Sequence, residues 1–312
     1  MNKTPEILLV GAGAVGSYYT GKFYQAGASV SVVARSDYEH IVDNGINVTS
    51  CGGDFSYRPG YIIKSAGEYP LKPDYIIVST KVLPGISVPD LIKEAVYPDT
   101  SIVLLQNGLE IENETAAAFP DNEIISCLAF ICVSRTGPGM VEHQDYGRLV
   151  IGRYPEGSSE KTERLASMLR ESGVNCEVDS NIIAARWRKL VWNAPFNPVS
   201  VLSGGSDTRE MLSDPESFRL IEDVMREVVR LAGRAGYPLD ESIIEKNLKD
   251  TFDMKPYRTS MLLDYENGRE MEVEAILGNA VRIADSLGEG IPNIRALYAL
   301  LRLANRKNAG KA

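Results

Sequence analysis

The stretch Ile7-Leu8-Leu9-Val10-Gly11-Ala12-Gly13-Ala14-Val15-Gly16 decides the fold of this chain. Four apolar residues read as a buried strand. The glycines follow in a G-x-G-x-x-G spacing that opens a helix-like stretch, Ser17 to Ala26. Each glycine has its own physical task in such a unit. Gly11 permits a tight turn after the strand, Gly13 leaves the backbone bare for a pyrophosphate, and Gly16 lets the helix pack close to the strand. The helix N-terminus offers its N–H groups to the phosphates. Gly11, Ala12, Gly13, Ala14, Val15 and Gly16 are therefore the expected contacts of a dinucleotide. The competing reading is a chance glycine-rich turn.

The next strand selects the cofactor. Ala28 to Val33 fits that strand, and it ends in Ala34-Arg35-Ser36. A site for NAD usually ends here in Asp or Glu, which bonds the ribose 2′-hydroxyl. An acid would repel a 2′-phosphate, whereas an arginine pairs with it through two parallel bonds. The residues favour NADP (NADPH) over NAD, with Arg35 on the 2′-phosphate. Against this stand Asp37 and Glu39 nearby, and the plain alternative that Arg35 is a solvated loop cation.

Working outward, Tyr75–Thr80, Ser101–Leu105 and Ile124–Leu128 are further short β-rich runs with helical patterns between them, as a parallel sheet covered on both faces requires. Gly147–Gly152 reads as one more strand and Lys161–Ser172 as an amphipathic helix. From about Asn181 the strand signals stop. Helical stretches follow at Asn181–Asn197, Asp214–Ala235, Ser242–Asp250, Glu272–Leu287 and Ile294–Asn305, with a frayed tail expected from Lys307. The predicted fold is α/β: an N-terminal Rossmann-like, doubly wound, mostly parallel sheet (1–179) followed by an all-helical C-terminal domain (180–312).

Composition narrows the class. The 312 residues suffice for two domains, and a net charge of −9 disfavours nucleic acid or an anionic membrane as partner. No apolar run approaches a membrane span and no signal peptide precedes the first strand, so a cytoplasmic protein is expected. The four cysteines form no C-x-x-C pair and read as reduced packing residues. The two histidines, His40 and His143, cluster with no cysteine in the sequence, so neither a metal site nor a Ser/His/Asp triad is expected.

Four segments carry chemistry. In Trp187-Arg188-Lys189-Leu190-Val191-Trp192-Asn193-Ala194-Pro195-Phe196-Asn197, the residues Lys189, Asn193 and Asn197 share one helix face, a cation and two amides suited to a small polar anion. Pro195 should bend this helix. A solvated face with a C-terminal asparagine cap is the bland alternative. Gln106-Asn107-Gly108 and Ser79-Thr80-Lys81 fall at strand C-terminal ends, where ligands sit in open α/β sheets, although Asn-Gly is also an ordinary turn. Lastly, Ser260-Met261-Leu262 precedes the acidic cluster around Glu272, which could be no more than a helix's charged first turn.

Taken together, these segments make the chain resemble the ketopantoate reductase family (2-dehydropantoate 2-reductases). The resemblance rests on the glycine turn, Arg35, Thr80-Lys81, Gln106-Asn107-Gly108, the Lys189/Asn193/Asn197 helix, and Ser260 followed by Glu272, in the family's order. It implies reduction of ketopantoate to pantoate in pantothenate and coenzyme A biosynthesis, with hydride from NADPH and a proton from Lys189. It further implies Asn107, Asn193, Asn197 and Ser260 as substrate contacts, and Arg35, Lys81, Asn107 and Glu272 as cofactor contacts. Two departures stand out: Glu274 and Leu277-Gly278 replace the family's frequent aspartate and Asn-Gly pair, and Asp207 stands near the place of a substrate asparagine found in some members. They keep open a reductase of another 2-oxo acid or an opine-type dehydrogenase; a non-enzymatic NADP-sensing protein is the other class. The long apolar-striped helices leave a homodimer possible.

Overall fold

The computed structural model describes residues 4–309. The chain forms two compact units. One takes in the chain up to Lys81, Ile86–Gln106 and Ile111–Ile182; the other takes in Val82–Gly85, Asn107–Glu110 and Ile183 onward. Relative to the expected break at 179/180, the division falls three residues later, and the helical unit claims two short segments from the first half.

The first unit is built on β1 (Glu6–Val10), α1 (Ala14–Gln25), β2 (Ser29–Val33), α2 (Tyr38–Asn44), β3 (Ile46–Ser50), β4 (Phe55–Tyr57), β5 (Ile62–Ile63), β6 (Tyr75–Val78), α3 (Val88–Ile92), β7 (Ser101–Leu104), α4 (Asn113–Ala118), β8 (Ile124–Gly137), β9 (Met140–Arg153), α5 (Glu160–Glu171) and β10 (Cys176–Val178). The strands make one sheet in the order β4-β3-β9-β8-β7-β6-β1-β2-β5, with β10 on β9. From β8 to β5 every pairing is parallel. The order β5-β2-β1-β6-β7-β8 is that of a dinucleotide-binding sheet, in which the winding reverses between β1 and β6. Ile7, Leu8, Leu9, Ile76 and Val78 are buried to within 1% because helices cover both faces.

The sheet is mostly parallel, as expected, with antiparallel pairings at β8–β9 and β3–β4. β8 and β9 are each 14 residues long and pair antiparallel around a turn at Pro138-Gly139, with register shifts at three places. Only the fully buried start of β8 and end of β9 read as strands in the sequence. Their other halves are part-exposed, and the bulges interrupt the alternation a pattern would need. β3, β4, β5 and β10, of two to five residues, escape the pattern because they are too short to show a period.

The second unit contains α6 (Ile182–Leu202), α7 (Thr208–Ser213), α8 (Pro215–Arg234), α9 (Ser242–Asp253), α10 (Ser260–Glu266), a π-turn (Glu274–Gly278), α11 (Asn279–Leu287) and α12 (Pro292–Ala309). α6 is its central rod, buried nearly all round from Leu190 to Ser200. α8 packs a stripe of Ile221, Val224, Met225, Val228 and Leu231 into the same core. The helix, expected as far as Asn197, runs through both Pro195 and Pro198 to Leu202. A proline inside a helix costs about 3 kcal/mol. Burying Phe196, at 0% exposure, and Val199 offsets it at roughly 1.5–3 kcal/mol each.

Glu227 of α8 caps α12, accepting the Asn293 and Ile294 N–H groups at 2.9 Å. Lys307 to Ala309 continue α12, where the tail was expected to fray: Asn308 is buried and bonds the Arg269 carbonyl. The remainder of that tail, residues 310–312, lies outside the described residues.

Candidate active site

In the first unit the ends of β1 and β6 meet at the reversal of winding. Gly11 has φ +101°, and a Cβ there would stand 2.8 Å from the Thr80 nitrogen. The Ser79 hydroxyl donates to the Gly11 carbonyl at 2.6 Å. Gly16 packs against the same carbonyl, where a Cβ would come within 2.7 Å. Gly13, the residue before α1, faces open space instead, with nothing within 4 Å of where a Cβ would be. No acid stands in the first turn of α1. A bare backbone edge beside unshielded helix N–H groups fits a pyrophosphate at Gly11–Gly16.

Arg35 is exposed just past the end of β2. Asp37, the acid that spoke against a 2′-phosphate, is buried and hydrogen-bonded. Its carboxylate accepts from Arg135 at 2.5 Å, from the Gly139 N–H at 2.9 Å and from the Ser36 hydroxyl at 2.8 Å. Gln106 Nε2 donates to the Thr80 carbonyl at 2.7 Å and ties the ends of β6 and β7 together. Lys81, half-buried, follows Thr80.

In the second unit Lys189 sits on α6 and its ammonium donates to Asn107 Oδ1 at 2.7 Å. Burial brings the Lys189 pKa down to about 7, helped by the Arg186 charge and opposed by Glu272. Asn193 and Asn197 follow at one-turn intervals on the same face, both buried. Asn197 Oδ1 is buried without a hydrogen-bond partner among the described residues, an acceptor that a ligand hydroxyl would satisfy. Ser260 is exposed at the first position of α10. The preceding Thr259 caps α10 and shares a 2.7 Å hydrogen bond with Ser200 of α6, which anchors the start of α10 to the helix bearing Lys189. Glu272 accepts the Val82 N–H at 2.9 Å.

Three contributors escaped the sequence reading. Arg186, only 3% exposed, donates to the Gly108 carbonyl at 3.0 Å. Its signal was an arginine set between Ala185 and Trp187, one turn before Lys189. The Val82 N–H and Asn279 carried no signal. Conversely, the two departures from the family pattern serve the scaffold. Glu274 binds Arg282 and Tyr298 at 2.9 Å, and Leu277 is wholly buried. Asp207 caps α7 in a reciprocal box with Glu210. Asp207→Ala is expected to lower stability by about 1 kcal/mol in urea titration while leaving turnover unchanged; a lost substrate affinity would instead place Asp207 at the ligand.

His143, isolated in sequence, lies beside Cys51 in the fold. The β3–β9 register sets Ser50 opposite His143, putting Nδ1 2.8 Å from Ser50 Oγ and 3.8 Å from Cys51 Sγ. The other three cysteines are buried. Among the described residues no cluster of metal-ligand type forms, and no helix is long and apolar enough to cross a membrane.

Residues 7–156 match the family model for ketopantoate reductase PanE/ApbA, and residues 181–305 match its C-terminal model. The chain belongs to the ketopantoate reductase family. A 2-dehydropantoate 2-reductase of Nostoc sp. is 35% identical over 96% of this chain and 95% of its own length. The crystal structure of the Methylococcus capsulatus 2-dehydropantoate 2-reductase superposes with a TM-score of 0.92 at 48% identity, covering 97% of this chain and 98% of that one. That of Geobacter metallireducens GS-15 gives 0.91 at 33%, covering 96% and 99%. Both the mixed sheet and the helical region thus belong to the ketopantoate reductase fold.

Proposed function

We propose that this protein is an NADPH-dependent reductase of a 2-oxo acid, with ketopantoate as substrate and pantoate as product. The observation that carries this reading is the half-buried Lys189, its ammonium on the Asn107 amide oxygen and its pKa lowered to about 7. Such a group loses its proton readily near neutrality, as a general acid must. NADPH, when bound at Gly11–Gly16 with its 2′-phosphate on Arg35, supplies hydride to the ketone carbon.

The chain's own residues do the rest. Lys189 stabilises the negative charge developing on the ketone oxygen and donates its proton there. Asn107 holds the ammonium in place. Asn193, Asn197 and Ser260 bind the substrate's carboxylate and hydroxyl. The unpartnered Asn197 Oδ1 favours a 2-oxo acid that carries a hydroxyl donor, which ketopantoate has and 2-oxoisovalerate lacks.

The test is NADPH oxidation with ketopantoate beside pyruvate and 2-oxoisovalerate. We expect kcat/KM for ketopantoate to exceed the others by at least about tenfold, the scale of one net hydrogen bond. Preference for another 2-oxo acid would relocate the substrate, and secondary-amine formation with an added amino acid would make it an opine-type enzyme. Tight NADPH binding without turnover on any of them would point to a sensor.

A further inference from the structure

The segment that begins at Glu272 holds both of the short segments that the helical unit takes from the first half of the chain. Glu272 accepts the Val82 N–H. Directly after it, Glu274–Gly278 is wound as a π-turn where the sequence predicts plain helix: the Asn279 N–H goes to the Glu274 carbonyl, five residues back, in place of the Ala275 carbonyl. A carbonyl released from its helix needs another donor. The Ala275 carbonyl accepts the Leu109 N–H at 3.1 Å. Two side chains close the loop from other directions. Arg186 Nη1 donates to the Gly108 carbonyl at 3.0 Å, and Asn279 Nδ2 to the Leu109 carbonyl at 2.5 Å. Gly108 has φ +116°, and a Cβ there would stand 2.7 Å from the Ala275 carbonyl oxygen.

We propose that the π-turn, Arg186 and Asn279 form a docking device for residues 107–109 that holds the Asn107 amide oxygen on the Lys189 ammonium. Arg186 and Asn279 are positioning residues, acting on the reaction through Asn107. Three hydrogen bonds on two consecutive residues fix the loop backbone, so the Asn107 side chain starts from a fixed point. A regular α-turn would have kept the Ala275 carbonyl within its own helix and left the Leu109 N–H without that partner. The proposal rests on the reading of Lys189 as proton donor.

The test compares Gly108→Ala, Asn279→Ala and Lys189→Ala by steady-state kinetics, by thermal unfolding, and by NMR titration of the Lys189 ammonium in labelled protein. Gly108→Ala and Asn279→Ala are each expected to lower kcat about tenfold, since misplacing a catalytic group by about 1 Å costs up to a hundredfold. In both, the Lys189 titration moves down, because the ammonium loses its Asn107 acceptor. Arg186→Lys, which keeps a charged donor, should retain more turnover than Arg186→Met. Asn279→Ala, half-buried at the surface, serves as the variant that folds if Gly108→Ala does not. Parental kcat and an unmoved Lys189 titration in both loop variants, with Lys189→Ala inactive, would overturn the docking role alone. An active Lys189→Ala would instead remove the proton-donor reading, while the titration would still report on docking.

Discussion

Lys189→Ala is expected to lower kcat for 2-oxo acid reduction by at least about a hundredfold, the usual range for loss of a general acid. The cofactor KM should stay near the parental value, because none of the proposed pyrophosphate contacts is altered. Two losses combine in this variant. The developing alkoxide loses a positive charge in a poorly solvated setting, where it is worth more than in water, and it loses its proton source. Lys189→Arg keeps the charge, but its guanidinium cannot give up a proton in the working pH range, so turnover should stay low.

The pH profile carries the same signature. Burial and Arg186 bring the Lys189 pKa down to about 7. Below that pH the free enzyme holds the proton that reduction consumes, and above it the proton is gone. The kcat/KM for reduction should therefore be level below pH 7 and fall as pH rises through 7, while the reverse oxidation rises over the same interval. A Lys189→Ala enzyme with parental turnover and an unchanged profile would end the assignment.

Legibility in the sequence followed how much of each signal was local. The β1–turn–α1 unit could be read because strand, glycines and helix occupy twenty consecutive residues. The Lys189, Asn193 and Asn197 face could be read because helical spacing is fixed within one element. The reach of β8 and β9 was hidden because bulges break the alternation, and the run of α6 past Asn197, through Pro198 to Leu202, because tertiary burial overrides a local cost. What joins Asn107 to Lys189 was hidden more deeply. It depends on carbonyls at Gly108, Leu109 and Ala275, and a backbone oxygen has no letter in a sequence. Arg186 and Asn279 have meaning only against those atoms. The pairing of Asp37 was hidden for the same reason: its partners, Arg135 and the Gly139 N–H, lie about a hundred residues away.

Arg35→Ala should raise the KM for NADPH by about 10- to 100-fold and leave the KM for NADH unchanged. A hydrogen bond to a charged group contributes about 1.5–3 kcal/mol, and each 1.4 kcal/mol is tenfold in affinity. Arg35 is exposed, and solvent screens an exposed pair, so the effect at physiological salt belongs near tenfold. It should grow as ionic strength falls and the Debye length lengthens. The position of Asp37 sharpens the expectation. Were its carboxylate free at the end of β2, it would repel the 2′-phosphate and favour the 2′-hydroxyl of NADH. Held by Arg135, Ser36 and Gly139, it leaves Arg35 as the first exposed charge after that strand, ahead of the exposed Glu39. The double variant Arg35→Ala/Arg135→Ala should accordingly lose NADPH discrimination further than Arg35→Ala, because it releases the acid as well. Equal effects of Arg35→Ala on both cofactors would take Arg35 out of the 2′-phosphate site and return it to the role of a solvated cation.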